Sequence, residues 1–423
     1  MLRDRRPRFV VAVVATLAAG VLAMSAPAGG LAVAHADTSR PSSPAVRSAP
    51  ASIPTPPVRP SDWGRLFADV PLGPSARPRA LPRSTEVVPA TVPWRGGRAV
   101  RLENVLAETR TRAFVVLHRG RLVREWYDAT TTPTTRLSSW SVAKSMVALV
   151  AAQAIDEGRL RLDSRVVDVL PELRVTGPRD GDRSYNQVTV RDLMDMTSGI
   201  DAPESYSGDP TDPASLLGIL RGTYVLMATP DLGGFARSHR TMVARPGSRG
   251  EYISFNTQLL SMVVARALGT DFVSAFRERL WKPARAQSRA TWNLDRAAGA
   301  GGIAKGFCCL NATARDFARL GLLIEDAGTD ASPVTRRWAE RIFTPRRHRV
   351  SDWPYSTSFW HEPGGAPGRP SQDASAIGIF GQYIYVNRRT DTVIVKLSDY
   401  GIEQDEALTL RAMRSIANSW RRG

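Results

Sequence analysis

Two β-rich hairpin signals stand at opposite ends of the patterned part of this chain, and together they constrain its fold more than any other feature. The first is AFVVLHRGRLVREWYD, residues 113–128, with apolar runs on either side of Arg119-Gly120. The second is QYIYVNRRTDTVIVKLSD, residues 382–399, with runs on either side of Asn387 to Asp391, and an amphipathic helix pattern follows over DEALTLRAMRSIANSW. Between the hairpins the period changes. SVAKSMVALVAAQAIDEG, TVRDLMDMT, TQLLSMVVARAL and ATARDFARLGLLIEDAG carry apolar residues at three-to-four spacing, and the first of them ends at Gly158, a C-cap residue. Strands at both ends with helices between predict one α/β domain. Its antiparallel sheet is formed from both ends of the domain and flanked by helices, and a mainly helical subdomain is inserted over about 160–310.

The chain ahead of the first hairpin reads differently. Arg3, Arg5, Arg6 and Arg8 precede an apolar run from Phe9 to Met24, and Ala34-His35-Ala36 ends the small residues that follow. This is the pattern of a secretory signal over residues 1–36, with an A-x-A cleavage site. The run is shorter than a membrane span, so a mature chain without a span, secreted or in the cell envelope, is expected; an uncleaved N-terminal anchor is the alternative. From 37 to 96 Pro, Ser, Ala and Arg dominate, and thirteen of the thirty prolines fall there, which predicts an extended tether with the domain starting at 97. Trp63 and Phe67 are placed to pack on the domain surface.

The net charge of +17 is scattered, with no basic stripe interleaved with aromatics, so a nucleic-acid partner is not expected. Only four of the 57 basic residues are lysines: Lys144, Lys282, Lys305 and Lys396. Where this chain needs only positive charge it uses Arg. A lysine therefore has a local reason, and one such reason is that a buried ammonium can lose its proton whereas a guanidinium cannot. The two cysteines, Cys308 and Cys309, are neighbours; a disulfide across one peptide would be strained, so they are expected as buried, small apolar residues. No metal-ligand spacing appears among the five histidines, and His361 has no visible acidic partner.

Ser141 and Lys144 lie one helical turn apart at the start of the longest apolar run. A serine hydroxyl needs a base to become a nucleophile, and residues i and i+3 share a helix face. The helix N-terminus favours developing negative charge, and a desolvated lysine favours its neutral form. The bland alternative is that Ser141 only caps the helix and Lys144 reaches out to water.

S-x-x-K is also the nucleophile motif of the penicillin-binding protein and serine β-lactamase superfamily. RLSSWSVAKSMVALVAAQAIDEGRLRLDSRVVDVLPEL with VTVRDLMDMTSGI resembles its class C branch, and GRLVREWYD, GEYISFNTQLL, KGFCCLNATARDFARLG and GIFGQYIYV are most similar to the 6-aminohexanoate-dimer hydrolase subgroup. The resemblance implies a β-lactamase/transpeptidase-like fold and an acyl-enzyme serine hydrolase that needs no metal or organic cofactor. The substrate would be a small-molecule ester, amide or peptide.

It also implies roles for further residues. The branch's second motif supplies a tyrosine, as phenolate, to share proton transfer; Tyr252-Ile253-Ser254 fills that slot in one register, and Ser254-Phe255-Asn256 fills it without a tyrosine in the other. Tyr252 is favoured, because a general base must reach the nucleophile and neither Ser254 nor Phe255 could serve. The third motif corresponds to Gly378-Ile379-Phe380-Gly381-Gln382, which lacks the usual lysine or histidine, and the Ile379 N–H would join the Ser141 N–H in an oxyanion hole. The missing cation argues against binding a β-lactam carboxylate. Tyr206, Trp140, Ser254, Asn256, Gly378 and Gly381 are the candidate substrate contacts; for Trp140 a core position, and for the glycines a tight hairpin entry, are the competing readings. A non-catalytic module that recognises cell-wall peptides, and a D-Ala-D-Ala peptidase or β-lactamase, stay open as alternatives.

Overall fold

The computed structural model describes residues 59–176, 184–202, 204, 223–401 and 405–421. All of these but Arg59 belong to the unit Pro60–Gly423; the expected signal segment and Tyr206 lie outside the described residues.

The two hairpin regions meet in one antiparallel sheet. β4 (Thr111–His118) and β5 (Arg121–Tyr127) turn at Arg119-Gly120, both at positive φ, and β12 (Gln382–Asn387) and β13 (Thr392–Ser398) form the second expected hairpin. With β9 (Tyr355–Ser356), β10 (Phe359–Trp360) and β11 (Asp373–Gly378) the order is β5-β4-β13-β12-β11-β10-β9. Every residue of β4, β11, β12 and β13 is buried, because helices cover both faces of the sheet. On one face lie α1 (Leu102–Glu108) and α5 (Glu406–Asn418), whose Leu410, Met413 and Ile416 join Phe114, Val116, Tyr383, Tyr385 and Ile394 in a core. On the other face pack α2 (Val142–Asp156) and α4 (Ala314–Glu325). Gly321 of α4 permits the closest approach, since a Cβ there would meet Val393 Cγ1 of β13 at 2.5 Å.

Helix α2 is buried from Val142 to Ala154, which makes it the central rod of the domain. It packs on α3 (Ser254–Leu268), which ends at the left-handed Gly269.

The domain begins earlier than the proline content suggested. Residues from Pro60 on are not a tether: β1 (Asp69–Leu72) pairs antiparallel with β7 (Ala290–Asn293), in a small sheet of order β1-β7-β8-β6 that includes β8 (Leu310–Ala312) and β6 (Leu137–Ser138). β2 (Thr91–Pro93) and β3 (Ala99–Arg101) form a further hairpin. Pro71 is tolerated because β1 is an edge strand. Trp63 and Leu72 are buried anchors that outweigh the disorder-prone composition around them.

Candidate active site

The segment that carries Ser141 is a sharp turn between β6 and α2. Trp140 holds φ at +47°, and its neighbours fix it there. The Ser139 N–H donates to the Leu310 carbonyl at 2.8 Å, the Leu310 N–H donates to Ser139 Oγ at 3.1 Å, and Trp140 Nε1 donates to the Pro60 carbonyl at 2.9 Å. The Trp140 ring is buried between Trp63 and Phe380, with centroids at 5.3 and 4.8 Å, so it supports the turn from the core side.

Ser141 occupies the N-cap position of α2, yet its side chain caps nothing. Lys144 is 1% exposed and does not reach water. Both bland readings of the motif therefore fail on geometry. Lys144 Nζ lies 2.7 Å from Ser141 Oγ and donates to the Phe307 carbonyl at 2.9 Å. It also stands 5.1 Å from the centroid of the Tyr252 ring. Burial pulls its ammonium down to about 7, with the Glu204 carboxylate acting in the opposite direction. The neutral amine that a base requires is thus accessible near neutral pH.

Tyr252 arrives just before α3 and is hydrogen-bonded to Ser141. Burial pushes its phenol well above the ordinary range, so at neutral pH the group is a phenol and not the phenolate expected from the resemblance. Of the two registers, the one with Tyr252 puts a functional group on Ser141. Ser254 and Asn256 are fully buried in the first turn of α3; among the described residues Ser254 Oγ and Asn256 Oδ1 have no hydrogen-bond partner, and Asn256 Nδ2 points to Met196 Sδ at 3.5 Å.

The third motif closes the site. Gly378 ends β11 against the Ser139–Ser141 turn: a Cβ there would lie 2.7 Å from the Ser139 carbonyl and 3.0 Å from the Ser141 nitrogen. Ile379, Phe380 and Gly381 make the hairpin to β12, with Phe380 at φ +67° and Gly381 at φ +84°. The Ser141 amide precedes the first helical residue and the Ile379 amide follows the last strand residue, so neither belongs to the regular ladders. This brings Ser141, Lys144, Tyr252, Gly378 and Ile379 to one locus. Trp140 and Gly381 lie behind it. His361 is buried elsewhere, between Ser356 Oγ at 2.7 Å and the Asp373 carbonyl at 3.2 Å. Among the described residues no three His, Cys, Asp or Glu side chains are grouped to hold a metal ion.

The family profile described as beta-lactamase matches residues 101–418. The chain belongs to the beta-lactamase family. It is 32% identical over 322 residues to the 6-aminohexanoate-dimer hydrolase of Paenarthrobacter ureafaciens, covering 71% of this chain and 75% of that protein. Among solved structures, a Bacillus anthracis protein named after 6-aminohexanoate-dimer hydrolase superposes with TM-score 0.69 at 20% identity, over 86% of this chain and 97% of that one. A Bacillus halodurans penicillin-binding protein gives TM-score 0.54 at 15% identity, over 74% and 98%. These likenesses in shape support the β-lactamase/transpeptidase-like fold. As a beta-lactamase-family serine hydrolase, the chain hydrolyses amide or ester bonds.

Several residues of this beta-lactamase-family site escaped sequence reasoning. Glu204 accepts a hydrogen bond from the Ser254 N–H at 2.9 Å, and Phe307 offers a carbonyl to Lys144. Gln382, named in the third motif without a role, braces the hairpin by donating to the Ser398 carbonyl at 2.7 Å, while the Ser398 N–H donates to Gln382 Oε1 at 3.2 Å. The cysteines require a correction: Cys308 and Cys309 are joined by a disulfide, with Cα atoms 3.7 Å apart and Cys309 at φ +84°. Both side chains are buried, as the sequence suggested, but not as free thiols.

Proposed function

We propose that the protein is an exported hydrolase that cleaves a linear amide or ester through an acyl-enzyme on Ser141. The observation that carries this reading is the buried Lys144 amine 2.7 Å from Ser141 Oγ, with a proton affinity lowered to near neutrality. Neutral Lys144 takes the Ser141 proton as Oγ attacks the substrate carbonyl. The tetrahedral oxyanion rests on the Ser141 and Ile379 N–H groups. Lys144, together with the Tyr252 phenol, returns the proton to the departing amine or alkoxide as the C–N or C–O bond breaks. Water then adds to the acyl-enzyme along the same relay, and the carboxylic acid leaves with Ser141 restored.

A linear substrate is favoured over a β-lactam because the third motif carries Ile379-Phe380 where a lysine or histidine would meet a carboxylate. The similarity to a hydrolase named for a linear amide dimer points the same way. Export rests on the N-terminal segment of arginines and apolar residues. The test is intact-mass analysis of wild type and Ser141→Ala with a fluorophosphonate and with a panel of esters, linear amides and β-lactams. Wild type gains the probe mass and the variant does not; a variant labelled at the wild-type rate would overturn the assignment.

A further inference from the structure

Helix α3 starts without a cap of its own. Its N-cap residue is Ile253, which offers no side-chain acceptor, and its first turn contains no acidic residue. The orphan amide of Ser254 is taken by a carboxylate from a distant segment, Glu204, at 2.9 Å. A carboxylate at a helix N-terminus satisfies a donor and complements the positive end of the dipole. Here the capped residue is two positions after Tyr252, so the contact also fixes the backbone that aims Tyr252 at Ser141. The same carboxylate acts electrostatically on both Lys144 and Tyr252. Among the described residues the groups facing Lys144 are Ser141 on its own helix, Tyr252 ahead of α3, the Phe307 carbonyl and Glu204, with Tyr355 behind Tyr252.

We propose that Glu204 is a positioning residue of the catalytic centre: it caps α3 so that Tyr252 stays on Ser141, and it brings a negative charge to the start of that helix, two residues after the tyrosine. The proposal rests on the assignment of Ser141 and Lys144 as nucleophile and base. The direction follows from the charge. A nearby anion favours the ammonium, so Glu204 raises the pH at which Lys144 becomes a base, opposing the burial that lowers it.

The experiment is the pH profile of kcat/KM for a p-nitrophenyl ester with wild type, Glu204→Gln and Glu204→Asp. Gln keeps an acceptor for the Ser254 amide and removes the charge, so its acid limb should move to lower pH by roughly half a unit or more, whatever the height of its plateau. Asp keeps the charge and shortens the reach, so its limb should stay near that of wild type while the plateau falls. An unmoved limb in Glu204→Gln overturns the proposal, as does a limb in Glu204→Asp that moves as far as that of Gln. If Glu204→Gln is too slow to assay by turnover, the pH dependence of fluorophosphonate labelling of Ser141 reads the same limb, and the same two results overturn the proposal. Loss of all labelling in wild type would instead defeat the Ser141 assignment, so the two failures are distinguishable.

Discussion

The α-carbon of Gly378 passes so close to Ser139 that a methyl group added to it would sit 2.7 Å from the Ser139 carbonyl oxygen. The same methyl would stand 3.0 Å from the Ser141 nitrogen, so the clash falls on one of the two amides assigned to the oxyanion. Backbone is the obstacle here, and it cannot swing away as a flexible side chain could. Gly378→Ala is expected to lower kcat/KM for an ester by roughly a hundredfold or more, the cost of spoiling one oxyanion donor. Thermal melting should show a stability loss of only about 1–3 kcal/mol, as for other overpacked sites. Wild-type turnover in a folded Gly378→Ala would remove the Ser141–Ile379 oxyanion site from consideration.

Because burial brings Lys144 down to about 7, the fraction of competent base rises as pH increases through that value. The acid limb of kcat/KM is therefore expected near pH 7, well below where an exposed lysine would place it. Lys144→Arg cannot supply a neutral base at any accessible pH. It should lose roughly 10²–10⁴-fold in activity, the usual contribution of a general base. The profiles are measured with an ester whose own hydrolysis is subtracted. A limb unchanged in Lys144→Arg, at near wild-type rate, would assign the base elsewhere.

How much of this was legible in the sequence depends on distance along the chain. Ser141 and Lys144 are three residues apart, and the scarcity of lysine marked the second of them; the structure buries Lys305 and Lys396 as well and leaves Lys282 exposed in an ion pair with Glu278. The two terminal hairpins and α2 to α5 could be read from local periodicity. Glu204 and Phe307 could not, since they reach the site from 50 and 163 residues away and carry no motif. The start of the domain was obscured for a different reason: proline-rich composition speaks against interior strands, but not against an edge strand anchored by Trp63 and Leu72. The cysteine pair was misjudged because adjacency was read as excluding a disulfide, whereas Cys308 and Cys309 are joined by one.

Tyr252 is a phenol at neutral pH and touches Ser141, so its removal should harm proton delivery more than binding. Tyr252→Phe is expected to keep KM within a few-fold and to lower kcat by roughly 10²-fold or more. If the same hydroxyl orients the water of the second step, intact-mass analysis of the variant with a fast ester should show the acyl-enzyme accumulating. A variant that turns over at the wild-type rate with no trapped acyl group would leave Lys144 as the sole proton carrier.

Lys396 extends the same physics to stability. It is buried on β13 with Ser398 Oγ 2.6 Å from its Nζ and the rings of Tyr383 and Tyr400 nearby, and burial alone lowers its ammonium to about 7. The unfolded chain holds that proton up to the ordinary lysine range, whereas the folded chain releases it near 7. Between those values the unfolded state binds more protons, so folding is favoured as pH rises from 7 toward 10. Lys396→Met removes this dependence and, at pH 7, the cost of burying the charge. The variant should melt higher than wild type at pH 7, by an amount on the order of a few kcal/mol at most, and the difference should shrink toward pH 10. Melting curves of both proteins at pH 7, 8.5 and 10 measure this as a difference, which cancels the titration of every other group. A gap that stays constant across the three would mean that Lys396 keeps its proton in the folded state, held by the Tyr383 and Tyr400 faces more strongly than burial disfavours it.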